Sequence, residues 1–453
     1  MVSTTDSGSS SPRLSPSTSG SGSDIGTPGT ERSTLFSGSL SNLLYPNQQF
    51  IAVIGGLGYI GSHTCFELLK TGENIIIIDN LSNSFRSVYD RLELLSKLHY
   101  EGHEADAPVM RFYEADFRDE TAMKSILSEY SQPTRQFATT DDDSVISSTI
   151  KGVIHFGAYK SVSESIRNPL KYYANNVAGV IEFCATLRDY NIKTFIFSSS
   201  ATVYGSLANS GVPLKEEYCT HQTETFIDHD GLIRTTFGGC TGLTNPYGRS
   251  KWMCEAILSD LALADPEWTI IALRYFNPVG CDESGLLGED PRGVPTNLMP
   301  VVLNVLAGSL PVLDIFGTNY PTPDGTAVRD FIHVTDLARG HIAALAAAFN
   351  DRVPKGFRTY NLGSGAGSSV LDVVSAVEAV SSAKIPIRTS TGEMVTLGFA
   401  LRCQKEQRLS WTGKRRSRLR QAVGTYITSW GINGEIQFPS ADPERMSGTC
   451  MFH

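Results

Sequence analysis

The run Gly55-Gly56-Leu57-Gly58-Tyr59-Ile60-Gly61 joins an apolar stretch, Phe50 to Ile54, to a segment, Tyr59 to Lys70, whose apolar residues recur at helical spacing. Glycines there let the backbone turn tightly and let a diphosphate approach the free N–H groups and the positive end of the helix that follows. A Gly-rich turn alone is weak evidence. Asp79 strengthens it, ending the next apolar stretch 18 residues after Gly61, where an acid takes the ribose hydroxyls of NAD and repels the extra phosphate of NADP. Strand, turn, helix, strand and acid in this order predict a parallel α/β sheet with a dinucleotide at its carboxyl edge. The bland alternative is a helix-start turn with Asp79 as a cap.

Short apolar runs continue the pattern at Ile75 to Ile78, Val109 to Tyr113, Gly152 to Phe156, Thr194 to Phe197 and Thr269 to Leu273. With Phe50 to Ile54 they make six strands of the kind buried on both faces, and helix-length segments such as Thr121 to Tyr130 lie between several of them. The fold class expected is α/β, a doubly wound parallel sheet over 49–276, with polar surface loops at Ser131 to Thr149 and Ser206 to Leu243. Beyond Asn277 the alternation weakens and Gly- and Pro-rich connections appear, so 277–387 is expected to form mainly a smaller mixed α/β lobe over the strand ends.

At 453 residues there is ample chain for two lobes and a tail, and 41% hydrophobic with 19% charged residues is ordinary globular usage. A net charge of -9 argues against nucleic acid or an anionic membrane as the main partner. The eight cysteines show no Cys-x-x-Cys pair, which suggests reduced thiols, a cytoplasmic location and no structural zinc. Residues 1–48, rich in Ser, Gly, Thr and Pro and without an apolar core, read as a solvated arm. Within it Ser11, Ser15 and Thr27 precede prolines, as sites for proline-directed kinases do.

Asn245-Pro246-Tyr247-Gly248-Arg249-Ser250-Lys251 places a Tyr and a Lys on one face of a helix starting at Pro246. A phenol becomes a useful base near neutral pH only if neighbouring positive charge favours phenolate, and Lys251 is positioned to supply it. Taken alone, Tyr-x-x-x-Lys more often marks a half-buried Tyr beside a solvated Lys. Here it follows Phe197-Ser198-Ser199-Ser200-Ala201-Thr202-Val203-Tyr204-Gly205, a strand end that carries hydroxyls to the same rim.

From Gln49 to about Val380 the chain resembles the UDP-hexose 4-epimerases of the extended short-chain dehydrogenase/reductase family. The resemblance is carried by Gly58 to Thr64, Asp79 to Ser84, Ser198 to Gly205, Arg274 to Gly280, Gly288-Glu289-Asp290-Pro291, Asn297 to Pro300 and Arg329 to Val334. It implies a Rossmann-type sheet, a homodimer, bound NAD, and interconversion of UDP-glucose and UDP-galactose through a 4-keto sugar. Tyr247 is implied as acid/base, Lys251 as the residue holding the nicotinamide ribose and lowering the Tyr pKa, and Ser200 as the partner of the reacting hydroxyl.

NAD contacts are implied from Gly55, Gly58, Tyr59, Ile60, Gly61, Asp79, Asn80, Leu81, Ser82, Asn83, Ser84, Asp116, Phe117, Phe156, Lys160 and Asn175, with Phe276 near the nicotinamide. The nucleotide sugar would meet Ser200, Thr202, Asn277, Asn297, Phe316 and Arg329. Arg329 carries the guanidinium fork that suits a diphosphate, while His155 and His333 read as structural.

Two departures are mild: Ile54 stands where the family commonly has Thr, and Gly157-Ala158 reverses the usual order. The third is larger. Near Arg388 the family's Arg-x-x-Gly-Asp run is missing, and 388–453 instead carries a basic stretch, Lys405 to Arg420, which we read as a shifted reading frame or unspliced intron in the gene model. A nucleic-acid patch is the weaker reading. Dehydration is disfavoured because Val203, not an acid, follows Thr202. N-acetylated UDP-sugars as substrates, or a non-catalytic NAD-binding module, stay open as alternatives.

Overall fold

The computed structural model describes residues 48–135, 144–209, 213–239, 242–293, 295 and 297–390. The phosphoacceptor dipeptides at Ser11, Ser15 and Thr27, the Asp141-Asp142-Asp143 run and the basic stretch after Lys405 lie outside the described residues.

Every expected apolar run is a strand, with ends shifted by up to three residues: β1 (Phe50–Ile54), β2 (Asn74–Asp79) and β3 (Met110–Glu114) come first. The polar segment after them is not simply a loop, because β4 (Ser131–Arg135) and β5 (Ser144–Ser148) pair as an antiparallel hairpin. Then follow β6 (Ile150–His155) and β7 (Thr194–Ser200), the latter carrying the whole serine run. The second expected loop also holds a hairpin, β8 (Glu224–Ile227) and β9 (Ile233–Thr236). Threonines and β-branched residues in both insertions favour pairing, a signal that high polarity obscures. The remaining strands are β10 (Thr269–Tyr275), β11 (Asn277–Val279), β12 (Leu313–Phe316), β13 (Val328–His333), β14 (Gly356–Leu362), β15 (Gly367–Ser369) and β16 (Ile387–Ser390). The helices are α1 (Tyr59–Lys70), α2 (Arg86–His99), α3 (Glu120–Ser128), α4 (Val162–Arg167), α5 (Pro169–Tyr172), α6 (Gly179–Asp189), α7 (Pro246–Ala264), α8 (Leu298–Leu306), α9 (Val334–Phe349) and α10 (Val370–Ser381).

Seven strands form one parallel sheet in the order β14-β10-β7-β6-β1-β2-β3. The expected six become seven because β14 returns from beyond Asn277 to the edge of the sheet. Its sequence, Gly-Phe-Arg-Thr-Tyr-Asn-Leu, mixes polar and apolar residues as a half-exposed edge strand does, so it lacks the continuous apolar run of a central strand. Side chains alternate between two cores. Ala52 and Ile76 pack with Met123 of α3, Leu187 of α6 and Leu258 of α7. Ile51, Val53, Ile75 and Ile77 pack with Leu68 of α1, Leu92 of α2 and Leu345 of α9.

A third core joins Val279, Val302, Leu303, Ile315 and Val377, contributed by β11, α8, β12 and α10. Around it lie the small sheet β11-β13-β15 and the pair β12-β16. Register in that pair runs from Leu313 opposite Ile387 to Phe316 opposite Ser390, so regular pairing continues past Arg388, where the resemblance lapses. Arg388 there clasps Asp314 with two hydrogen bonds, 2.6 and 2.9 Å.

The order in which strands are added reverses between β1 and β6, which stay parallel, and this is the position at which open α/β sheets bind ligands. A Cβ at Gly55 (φ +72°) would stand 3.1 Å from the amide nitrogen of Gly157, so the two connections nearly touch. A Cβ at Gly157 would stand 3.0 Å from the Phe117 ring and 3.2 Å from Ile54 Cγ2, so both side chains pack against the glycine that stands there.

Candidate active site

The turn after β1 runs directly into α1, whose N-cap, Gly58, makes no side-chain cap bond to the first-turn amides. A helix N-terminus reached through a glycine turn suits an anion. Gly61 keeps the turn tight, since a Cβ there would collide with the Gly55 carbonyl oxygen and stand 2.8 Å from Gly56 Cα. Asp79 is buried at the end of β2 and braces two loops at once. Its carboxylate accepts the Leu57 N–H at 3.0 Å, the Leu81 N–H at 2.9 Å and the Ser84 hydroxyl at 2.8 Å. These bonds hold Leu81 in the left-handed region (φ +54°).

Further along the same edge, Asn80 Nδ2 donates to Asp116 at 2.9 Å, and Arg118 binds both carboxylate oxygens of Asp116, holding that acid down at about 2. Asn175 lies buried in a π-helical turn, Tyr173–Ala178, and donates to Asn176 Oδ1 at 2.9 Å. Phe117 packs edge-on against His155 at 4.8 Å, and Phe156 tilts against His341 at 4.8 Å. Tyr59, at the start of α1, donates to the Gly280 carbonyl at 2.6 Å, and Ile60 is half-buried. A buried acid, uncapped helix amides and a turn that admits no side chain fit a dinucleotide.

Two strands away, β7 ends at Ser200. Asn245 caps α7 by accepting the Gly248 N–H at 2.8 Å, and Pro246 takes the first helical position, which fixes where Tyr247 and Lys251 emerge. Tyr247 is buried, with the Ser200 hydroxyl near enough to lower its phenol pKa. Ser200 Oγ accepts the Thr202 N–H at 3.2 Å and its hydroxyl at 3.0 Å. Lys251 is 2% exposed, donates to the Ser198 carbonyl at 2.6 Å and lies 4.7 Å over the Phe197 ring.

Burial pushes the Tyr247 phenol above its ordinary value, and Ser200 pulls it part of the way back. Lys251, expected to lower that pKa, stands one helical turn along α7 from Tyr247. The lysine is itself held at about 8 by burial, and its ammonium turns to the Ser198 carbonyl.

The model described as "NAD dependent epimerase/dehydratase family" matches residues 51–363. The chain belongs to that family. Over 368 residues this family member is 42% identical to a UDP-glucose 4-epimerase of Bacillus subtilis, covering 81% of this chain and 92% of the relative. It is 41% identical to one of Mus musculus, covering 75% and 84%. Among solved structures, the UDP-glucose 4-epimerase of Bifidobacterium longum in complex with NAD+ and UDP superposes with a TM-score of 0.68 at 36% identity, covering 85% of this chain and 99% of that one.

Besides Ser200 and Thr202 at the end of β7, the residues of this epimerase/dehydratase expected to meet a nucleotide sugar lie beyond β10. Asn277, in β11, donates to the Asp330 carbonyl at 3.1 Å. Arg329, in β13, is half-buried, its pKa lowered by desolvation, and donates to the Val328 carbonyl at 2.9 Å. Phe316, at the end of β12, is 74% exposed, an apolar ring held in solvent. Asn297 caps α8 in sequence but bonds through Nδ2 to Glu289. Phe276 packs where a Cβ at Gly363 would stand 2.7 Å from its ring.

Glu289 is the residue that sequence reasoning left without a role. Its buried side chain accepts Lys160 Nζ at 3.0 Å as well as Asn297, so it touches one residue expected for NAD and one expected for the sugar. Lying in the Gly288-to-Pro291 run, it was visible as a motif, but only folding brings Lys160 to it. His155 sits among Phe117, Phe183, Phe195 and Phe197, and burial lowers it to about 3, so it is a neutral core residue. His333 Nδ1 accepts the Thr335 N–H at the start of α9.

Proposed function

We propose that the chain is an NAD-dependent 4-epimerase of UDP-hexoses, interconverting UDP-glucose and UDP-galactose. The observation that carries the reading is the burial of Ser200, Tyr247 and Lys251 together where β7 ends against α7, with Lys251 bonded to the Ser198 carbonyl, on the same parallel sheet as the glycine turn. Gly55 to Gly61 would cradle the diphosphate of NAD, Asp79 a ribose, and Lys251 the ribose nearer the reacting sugar. When bound, NAD supplies a hydride acceptor that is regenerated in each cycle.

The chain's own residues then have three tasks. Tyr247 takes the proton of the sugar's 4-hydroxyl and later returns it. Ser200 holds that hydroxyl in reach of the phenol oxygen. Arg329, Asn277, Asn297 and Phe316 grip the nucleotide end, Arg329 by charge and Phe316 by offering a ring face. Thr202 orients Ser200 through its two bonds.

We further read the protein as a cytoplasmic homodimer. Light scattering of the purified chain tests the dimer, with a monomer at micromolar concentration as the opposing result. The activity is tested by incubating purified protein with UDP-galactose, without added NAD, and assaying UDP-glucose. Many turnovers per protein are expected. No turnover from protein shown to contain NAD overturns the reading.

A further inference from the structure

The connection between Ser200 and Tyr247 carries far more chain than a turn requires, and it is fastened beneath the reaction site by a buried charge cluster. Arg274, near the end of β10, has no solvent exposure and binds Glu255 through Nε at 3.0 Å and Nη2 at 2.7 Å. Its other N–H groups reach into the insertion, to the carbonyls of Glu216 at 3.3 Å and Cys219 at 2.7 Å, and to the Tyr204 hydroxyl at 3.1 Å. Glu255 lies one turn beyond Lys251 on α7 and is equally buried.

Two more donors complete the Glu255 carboxylate. Oε1 accepts the Ser199 hydroxyl at 2.5 Å, and Oε2 accepts His221 Nε2 at 2.8 Å. Arg274 and His221 hold Glu255 ionised against the cost of burial, so the carboxylate only accepts and His221 donates from Nε2. Ser199 adjoins Ser200, and Glu255 is one turn from Lys251. His221, from the insertion, therefore completes a group that ties the serine strand to the catalytic helix, beside the Lys251 bond to the Ser198 carbonyl.

We propose that His221 is a positioning residue for the reaction. Acting through Glu255, it fixes the end of β7 and the first turns of α7, so that Ser200, Tyr247 and Lys251 keep their spacing. Removing it leaves a buried carboxylate short of a donor, and α7 relaxes toward Arg274. The insertion is then part of the catalytic framework. The inference rests on the epimerase reading for its kinetic test and on geometry alone for its second.

Kinetics are measured on the full chain with its retained NAD and UDP-galactose. His221→Ala should lower kcat by about 10- to 100-fold, the scale of a small misplacement at the reacting groups, with KM within about twofold. His221→Gln, whose amide can reach Glu255, should recover most of kcat, whereas the shorter His221→Asn should not. Gln222→Ala, which removes a bond from the insertion to Ser259 on α7 at 3.3 Å, should leave kcat unchanged. Should the Ala variant fail to fold, the Gln and Asn pair decides.

Unchanged kcat in His221→Asn, or an equal loss in Gln222→Ala, overturns the proposal. An inactive wild type defeats the epimerase reading instead, and amide hydrogen exchange then decides: faster exchange over 247–251 in His221→Asn but not in His221→Gln supports the positioning role, and identical exchange overturns it.

Discussion

A phenol asked to give up a proton inside a protein is opposed by its own burial, and Tyr247 shows that opposition. Ser200 pulls the other way, which puts the hydroxyls at the end of β7 and the start of α7 in one reacting group. Tyr247→Phe should therefore cut turnover by about 10²- to 10⁴-fold while the dinucleotide released on denaturation stays equimolar with protein. Near-normal turnover would mean another residue is the base. Lys251 carries a different signature. Burial holds it at about 8, below the ordinary lysine value of 10.5, so its charged form costs stability below pH 8. That cost is relieved as pH rises from about 8 toward 10.5, where the unfolded chain still binds the proton and the folded chain has lost it. Compared with Lys251→Met, the wild type should gain in urea midpoint between pH 8 and 10, and parallel curves would contradict the assignment.

Among the elements, the turn into α1 is where sequence and structure agree most closely, because its requirement is local. The helix was expected and found over Tyr59–Lys70, and the glycine at 61 is enforced by backbone. Gly61→Ala should force the turn open, reducing retained NAD severalfold in the absorbance ratio of the purified protein and destabilising it by about 1–3 kcal/mol. Full NAD occupancy in that variant would show that the turn yields without cost. The insertions agree least. Residues 131–149 and 206–243 read as loops because polar residues dominate them, yet their described parts contain the β4–β5 and β8–β9 hairpins. In the second, Glu255 and Arg274 become a buried ion pair only because α7 and β10 meet over it. Nothing in the spacing of His221, Glu255 and Arg274 announces that meeting.

Taken as a whole molecule, the two expected lobes are stitched together beside the dinucleotide turn. Tyr59 donates to Gly280, Arg91 to the Leu286 carbonyl at 3.1 Å, and Arg292 to the Ser84 carbonyl at 2.8 Å while lying 4.4 Å over Phe85. The segment from Gly280 to Arg292 thus closes over the loop expected to hold NAD. Arg292→Ala should speed loss of NAD on dialysis by several-fold with little change in melting temperature, since one partly exposed bond contributes only about 1 kcal/mol. An unchanged release rate would separate that segment from dinucleotide retention. Strand seven belongs to this scale too, for β14 joins β10 from more than 80 residues away in the chain. What the chain's order of residues determined alone was everything set by neighbours: apolar runs buried on both faces, the glycine turn, the acid that ends β2, and the Tyr-Lys pair on one helical face. Contacts between distant segments were decided only by the folded structure. These include the edge strand, the Glu289 bridge between Lys160 and Asn297, the bond from Lys251 to the Ser198 carbonyl, and the clasp of Glu255 by Arg274 and His221. The reason is physical: local periodicity is written in side-chain pattern, whereas a hydrogen bond or a pKa shift depends on distance and burial, which exist only after the sheet and its helices have closed.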